Sequence, residues 1–416
     1  MPVDMTPDEA LANLFLSEEG IENPLPLYRT LRDVAPVHHS ATGAFVLTRF
    51  EDCREVLRDN RLGKANRAGG SIIPNADPEA TKLRREQVQR SIDEKRATSM
   101  LFLNPPHHTR QRSLVSRAFT PRRVEKMRES IRELSEQIIG DFVAEGGGDL
   151  LDRVAFPLPV AVIGQLVGVP EPDWPQFRAL VSQSAAALEP GATVEDLKAA
   201  EISRHAVGEY FVDLLKERKA NPKDDLLSDL IAVEEAGDSL SEGEVIAVAT
   251  LLFAAGFETT TNLIGNGMGA LLRHPEQRDK LWADTSLLEP AVDEMLRWDS
   301  PIQFDARTAL EDADIAGVEI PEESTVITLL GAANHDPAQF SDPETFDITR
   351  NEGPPMSFGS GIHYCLGANL SRAEGQEVFS ALIDKCSSVE LAGDLSRRPR
   401  MGFRGYKSVP VKLMAR

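Results

Sequence analysis

A chain of 416 residues, 41% hydrophobic and 27% charged, has the composition of a soluble globular protein with ample material for a core, and excludes a fibre or a disordered segment. Its formal net charge of −21 argues against wholesale binding to nucleic acid or to an anionic membrane, since both would repel it. Three cysteines, Cys53, Cys365 and Cys386, are too few and too scattered for a disulfide framework, which points to a reducing cytoplasm.

The stretch from Met1 to Glu9 has neither a basic region nor an apolar core, so neither a signal peptide nor an anchor is expected. Pro24 to Arg32 opens on prolines and then spaces Leu27 and Leu31 one turn apart, which predicts a first helix. Ala44 to Thr48 reads as a short strand after the Thr42-Gly43 turn, and Glu51 to Arg58 as a second helix, so a small sheet begins early. Residues 60–80, broken by Gly69-Gly70 and Pro74-Asn75, read as a loop of the kind that often binds ligands. Asn104-Pro105-Pro106-His107-His108-Thr109-Arg110-Gln111-Arg112 is a proline stop followed by a helix start. From Arg110 to Arg128 seven basic residues (Arg110, Arg112, Arg117, Arg122, Arg123, Lys126, Arg128) accompany one acid, Glu125, a local reversal of the overall charge. Gly146-Gly147-Gly148 reads as a turn, because it lacks the preceding strand and the following Lys-Ser/Thr of a phosphate loop. Residues 157–235 read as successive helices separated at Pro170, Pro190 and Pro222, and no internal repeat is evident.

Leu251 to Asn262 is an apolar helix that turns polar at Glu258-Thr259-Thr260-Thr261. Threonine hydroxyls compete for the i−4 carbonyls, so a local opening of the helix is expected. An acid beside an alcohol in such a place is equipped to deliver protons through water. Taken alone, the same segment also reads as a helix-end cap. The apolar run Val245 to Gly256 spans twelve residues, short of the ~20 of a membrane helix, and suits a buried one. Glu294 and Arg297 stand at i,i+3 on one helical face.

Phe358-Gly359-Ser360-Gly361-Ile362-His363-Tyr364-Cys365-Leu366-Gly367 reads as a loop built to hold one thiolate close to something flat, its glycines free to take positive φ. A helix follows, and its amino end favours S⁻ over SH at Cys365. With no second Cys or His at chelating spacing, the thiolate suits a metal whose other positions are filled, as in haem iron. The pattern Phe-Gly-x-Gly-x-His-x-Cys-x-Gly resembles the haem-ligating loop of the cytochrome P450 family and matches all six of its fixed positions.

Other segments are similar to the same family, in its order. Asn104 to Arg112 resembles the opening of the helix under the haem, with Asn104 in place of the family's Asp. Ala255-Gly256-x-Glu258-Thr259 resembles the oxygen-binding helix, and Pro301 to Ala309 the strand that passes over the haem. The resemblance implies a mainly α fold with a small β region, the cytochrome P450 fold, as a single two-lobed domain over residues 24–416, with residues 1–23 an N-terminal extension. It implies haem b, with Cys365 as axial ligand of the iron. Phe358, Gly367, Ala255 and Gly256 would lie against the cofactor, and His108, Arg112, Arg307 and His363 would meet its propionates. Glu258 and Thr259 would manage protons, while Glu294 and Arg297 would brace the cysteine loop. The brace's usual third arginine falls at Thr345 in Pro343-Glu344-Thr345-Phe346, so it is either incomplete or completed by Arg350.

The activity implied is monooxygenation of an apolar small molecule with O2 and two electrons from a separate ferredoxin and its reductase, in the cytoplasm and away from membranes and nucleic acid. Pocket walls are expected at residues 69–100, 174–205, Leu251–Thr259 and Ile302–Ala306. Arg110, Arg112, Arg122, Arg123 and Lys126 are expected either to dock an acidic electron donor or to form a solvated helix face. A peroxide-driven peroxygenase of the same fold and a non-enzymatic haem sensor or carrier are the other readings.

Overall fold

Helices dominate where apolar residues recur at helical spacing and a cap or proline opens the run. The computed structural model describes residues 5–64, 73, 77–93, 97–235 and 237–416. The expectations at Gly69-Gly70 and Pro74-Asn75, and part of the expected pocket wall at residues 69–100, lie outside the described residues.

The longest helix, Glu242–Arg273, starts on a capping box. Ser241 Oγ accepts from the Glu244 N–H at 3.3 Å, while the Glu244 carboxylate accepts from the Ser241 N–H at 2.9 Å. It is long and apolar enough to cross a membrane. Here it threads the core instead, with Phe253, Phe257, Leu263, Ile264 and Met268 all buried. Around it pack Pro157–Val167, Val194–Ala220, Leu288–Trp298 and Ala368–Lys385, the last also lying along Pro121–Ala144. The helices expected between residues 157 and 235 form as Pro157–Val167, Trp174–Ala186, Val194–Ala220 and Leu226–Ala232.

The β part is a five-stranded sheet in the order Val37–His39, Phe45–Leu47, Thr325–Thr328, Asp305–Ala309, Leu62–Gly63. Phe45–Leu47 pairs in parallel with Thr325–Thr328, so the early strand is completed only by residues far along the chain. Separate apolar clusters, one helical and two against the sheet, give the two lobes. Ahead of Pro24, helix Pro7–Leu16 buries Ala10, Leu11, Leu14 and Phe15 against Tyr28, Leu31 and Ile327.

Two local expectations are corrected. The glycines at 146–148 do not simply turn. Gly147–Asp149 is an edge strand antiparallel to Pro410–Ala415, a pairing that residues next to it in sequence could not announce. Nor does the long helix break at its threonines. It runs unbroken from Glu242 to Arg273, and the hydroxyls of Thr259 and Thr260 donate to the carbonyls of Ala255 and Gly256 at 2.8 and 3.1 Å without opening the ladder.

Candidate active site

The loop carrying Cys365 is fixed by its own backbone. The Cys365 N–H donates to the Phe358 carbonyl at 3.0 Å, and Gly361 takes φ 69° with no room for a side chain, since a Cβ would stand 2.2 Å from the Leu57 carbonyl oxygen. Phe358 lies under the Arg372 guanidinium at 4.6 Å, and Arg372 pairs with Asp293 at 2.7 Å. Cys365 opens into a cavity of about 930 Å³. Enclosure there pushes the thiol up. The Gly367 N–H and the guanidiniums of Arg112 and Arg372 pull the other way. The helix itself begins at Ala368, three residues on, so its amino end acts on Cys365 through the Gly367 N–H. The other cysteines are packing residues, both fully buried.

Along one flank of this cavity stand Arg307 and His363, with His108 packed on His363; all three carry unpartnered nitrogens, although Nη2 of Arg307 pairs with Asp305 at 2.8 Å. His108, 2% exposed, has partners for neither ring nitrogen; Arg307, 3% exposed, lacks them at Nε and Nη1; His363 lacks one at Nε2. The two imidazole rings are 4.3 Å apart. Burial is the largest cause of depression at both histidines, and the positive neighbours Arg307 and, for His363, Lys64 add to it; His363 falls to about 3. Buried donors left unpaired cost about 1–3 kcal/mol each, so the arrangement is made for anionic oxygen. Arg112 joins from the same helix as His108 and donates to the Tyr364 carbonyl at 2.8 Å. Lys64, which the sequence did not single out, completes the flank by pairing with Asp305 and donating to the Ala306 carbonyl at 2.9 Å. Asn104 holds Lys64 in place: its Oδ1 accepts from the Lys64 N–H at 2.7 Å and its Nδ2 donates to the Lys64 carbonyl at 2.6 Å. A carboxylate has no proton to give that carbonyl, which gives the Asn at this position a physical reason.

Across the cavity run Ala255, Gly256, Glu258 and Thr259 of the long helix, and the expected walls beyond them contribute Val181, Leu188, Leu251, Ile302 and Phe304. Ala255 and Gly256 therefore face Phe358, Cys365 and Gly367 in one space. Glu258 is 4% exposed and its Oε1 accepts from Nη1 of Arg398, a residue no motif had marked.

The expected brace is buried and complete. Arg297 bonds both oxygens of Glu294, at 2.6 and 2.8 Å, and donates to the carbonyls of Asn334, Pro343 and Thr345. Arg350 stands 3.2 Å from Glu294, filling the place of the arginine missing at Thr345. The link to the cysteine loop is Asn334. Its carbonyl is held by Arg297, and its side chain bonds the Met356 N–H at 2.7 Å and Ser357 Oγ at 2.9 Å, at the loop's start.

The basic run is largely answered by acids. Arg110 pairs with Asp238 and Glu244 at 2.6 Å each, Arg123 with Asp224 and Asp229, Lys126 with Asp224 and Arg128 with Glu377. Arg122 is exposed.

A haem fits these residues: a single sulfur at one wall, unpaired cationic and imidazole donors at the rim for two carboxylates, and apolar and glycine surface on either side. Among the described residues no group of three or more His, Cys, Asp or Glu is placed to chelate a metal on its own.

Comparison with known proteins agrees. The family model "Cytochrome P450" matches residues 190–401. The vitamin D(3) 25-hydroxylase of Pseudonocardia autotrophica is 39% identical over 94% of this chain and 94% of its own length. The biotin biosynthesis cytochrome P450 of Bacillus subtilis is 36% identical over 96% of this chain and 99% of its own. The crystal structure of P450BioI in complex with an acyl carrier protein ligated to hexadec-9Z-enoic acid superposes with a TM-score of 0.85 at 36% identity, covering 95% of this chain and 99% of that one. A thiolate loop, a rim of unpaired donors and relatives of this extent lead to one conclusion: the chain belongs to the cytochrome P450 family and is a haem-binding monooxygenase of bacterial type.

Proposed function

We propose that the protein oxygenates an apolar organic small molecule, by hydroxylation or epoxidation, using O2 and two electrons passed from a separate ferredoxin and reductase in the cytoplasm. The observation that carries this is the one cavity in which Cys365, the partly unpaired Arg307 and His363, Glu258, Thr259 and an apolar wall meet.

Cys365 would hold the haem iron in this reading, and the haem would supply the activation of O2, favoured by electron donation from a thiolate. His108, Arg112, Arg307 and His363 would take the propionates, and at His108, Arg307 and His363 the pairing would relieve a donor now buried without a partner. Phe358 and Gly367 on one side, Ala255 and Gly256 on the other, leave flat surface for the macrocycle. Thr259 and Glu258 hold and move protons at the hydroxyl oxygen and the carboxylate. The distal wall of Val181, Leu188, Leu251, Ile302 and Phe304 excludes water and receives apolar surface, which supports an apolar substrate. Residues 24–416 form the haem domain. For the electron donor, Arg122 offers the uncommitted charge of the expected docking face, with Arg112 reaching the cysteine loop beside it.

Turnover with a [2Fe–2S] ferredoxin and its reductase, set against turnover on hydrogen peroxide alone, tests the reading. A peroxygenase would work on peroxide and ignore the ferredoxin, and a sensor or carrier would turn over with neither. Shifts of the ferric spectrum across a panel of apolar compounds would then define the substrate class.

A further inference from the structure

Among the described residues four cations line the cavity: Lys64, Arg84, Arg112 and Arg307. Lys64, Arg112 and Arg307 belong to the flank described above, and Arg84 stands apart from it. It comes from helix Pro78–Asp93 and reaches the segment between Trp174–Ala186 and Val194–Ala220, where Nη1 donates to the Ala187 carbonyl and Nη2 to the Glu189 carbonyl, at 2.8 Å each. Leu188, between those two carbonyls, lines the cavity yet is 46% exposed, and Leu16, which also lines it, is 50% exposed. The cavity therefore meets solvent here, and Arg84 sits at its mouth. Apolar contact seats the helix in the same place, Ala80 packing with Ala192 and Leu197. Gly191 lets the segment lie against Leu16, for a Cβ there would stand 3.2 Å from Leu16 Cδ2.

Both bonds of Arg84 go to neutral carbonyls, and among the described residues no carboxylate pairs with it. Two acids on these segments are engaged elsewhere. Asp77, which also lines the cavity, accepts from the Glu79 N–H at 2.9 Å, and Glu189 turns its carboxylate to the N–H groups of Gly402 and Phe403 at 2.8 and 2.7 Å. Burial pushes the Glu189 carboxyl up, and it depresses Arg84 more than the charge of Glu189 raises it. A guanidinium has five N–H donors, so two carbonyls leave it room for a further oxygen acceptor. With its charge unanswered at the edge of an apolar space, its best partner is a carboxylate.

Resting on the monooxygenase reading above, we propose that the substrate is a long-chain apolar acid, its carboxylate held by Arg84 at the mouth and its body lying along Val181, Leu251, Ile302 and Phe304 towards Cys365. Two constraints give the length and the charge. A ligand fixed at Arg84 that also presents a carbon beside Cys365 has to span the cavity, which requires an extended body. A neutral ester or alcohol of the same length covers the apolar wall equally well but leaves the cation unanswered, so the acid is distinguished from them at Arg84 alone.

The test uses the haem-loaded full chain in the ferric state. Tetradecanoic acid, its methyl ester and tetradecan-1-ol are titrated into the wild type, Arg84→Ala, Arg84→Gln and Arg84→Lys at about pH 7.5, well above the ordinary carboxyl range, and dissociation constants are read from the shift of the Soret band. Affinity for the acid is expressed relative to the ester in the same variant, which cancels any loosening of the mouth when the bonds to Ala187 and Glu189 are lost. In the wild type the acid should bind roughly tenfold more tightly than the ester or better, as expected of a charged hydrogen bond. The ratio should fall to about one in Arg84→Ala and Arg84→Gln and recover in part in Arg84→Lys, which keeps the charge without the planar fork. Equal affinity for acid and ester in the wild type, or a preference for the acid that survives in Arg84→Ala, would overturn the inference and leave an apolar substrate standing. Silence from all three compounds in haem-loaded protein would also overturn it, since the cavity would then refuse a long chain of any kind. A chain that takes up no haem would defeat the monooxygenase reading and this inference together.

Discussion

At Cys365, burial favours the thiol while a backbone N–H and two guanidiniums favour the thiolate, so the sulfur becomes a committed anion by binding a cation. Reduced protein with carbon monoxide should then show the far red-shifted Soret band of thiolate ligation. Persistence of that band in Cys365→His would refute the assignment. Arg307 makes a complementary case: Nη2 pairs with Asp305 at 2.8 Å, but Nε and Nη1 are unpaired in a buried site and gain from a further carboxylate. Arg307→Ala should raise the haem dissociation rate, measured by transfer to apomyoglobin, roughly tenfold or more, in line with ~1.5–3 kcal/mol for a charged hydrogen bond. Glu374 is a different kind of residue, fully buried, with one oxygen unpartnered and its carboxyl pushed well above the usual range by burial alone. Since the folded state holds this proton more tightly than the unfolded one, its contribution to stability is complete below the ordinary carboxyl pKa and is lost as pH rises above it. Glu374→Gln removes that titration, so between about pH 5 and pH 8 the variant's melting temperature should decline less than the wild type's. Parallel slopes would mean that Glu374 has a partner in solution. His108, Arg112, Arg307, His363 and Cys365 were legible because each lies in a short contiguous motif. Lys64 and Arg398 act through partners 241 and 140 residues away, and an isolated arginine or lysine carries no local pattern to mark it, whereas Arg350 was marked only by the gap at Thr345.

Among the elements, the brace shows how a helix and a loop hold a third segment. Glu294 and Arg297, 2% and 1% exposed, tie Leu288–Trp298 to residues 334–350 through carbonyls, and Asn334 passes the constraint to the start of the cysteine loop. Glu294→Ala strands the buried Arg297 without a counter-charge, while Arg350 keeps Glu352 at 2.6 Å, so it should cost roughly 3–5 kcal/mol. Because haem binds only the folded state, it should also lower haem content in purified protein. Arg350→Ala leaves the bidentate pair intact and should cost clearly less. Equal losses in the two variants would argue that Arg350 carries the brace. The helices were readable from prolines and apolar spacing, as were the turns between residues 157 and 235. Gly147–Asp149 was not, because a strand of two glycines and an aspartate has no periodicity and exists only by pairing with Pro410–Ala415. The unbroken long helix was missed for a related reason: threonine hydroxyls do seek the i−4 carbonyls, but tertiary packing on both sides holds the ladder shut.

For the whole molecule, a net charge of −21 would oppose the approach of an acidic ferredoxin, the donor proposed above. The basic run from Arg110 to Arg128 seemed to solve it wholesale, but most of its charges already face acids of this chain. Arg110 and Arg123 therefore act mainly within the fold, and replacing them should disturb stability before it disturbs docking. Arg122 is exposed, and Lys126 is held only by an exposed pair with Asp224 at 3.2 Å, of the class worth ~0–1 kcal/mol. At ~0.15 M salt the Debye length is about 8 Å, so distant acids are screened and these two cations set the local field. Arg122→Glu with Lys126→Glu should slow electron transfer chiefly through the association rate, and carbon monoxide binding and haem content should stay as in the wild type. Adding salt should slow the wild type more than the variant, since the variant has lost the attraction that salt screens. Arg110→Glu provides the contrast, with a lowered melting temperature and a smaller change in association rate. If stopped-flow reduction of the wild type by the ferredoxin is indifferent to salt up to about 0.5 M, where screening reaches within ~4–5 Å, these residues form a solvated face and the electron donor docks elsewhere.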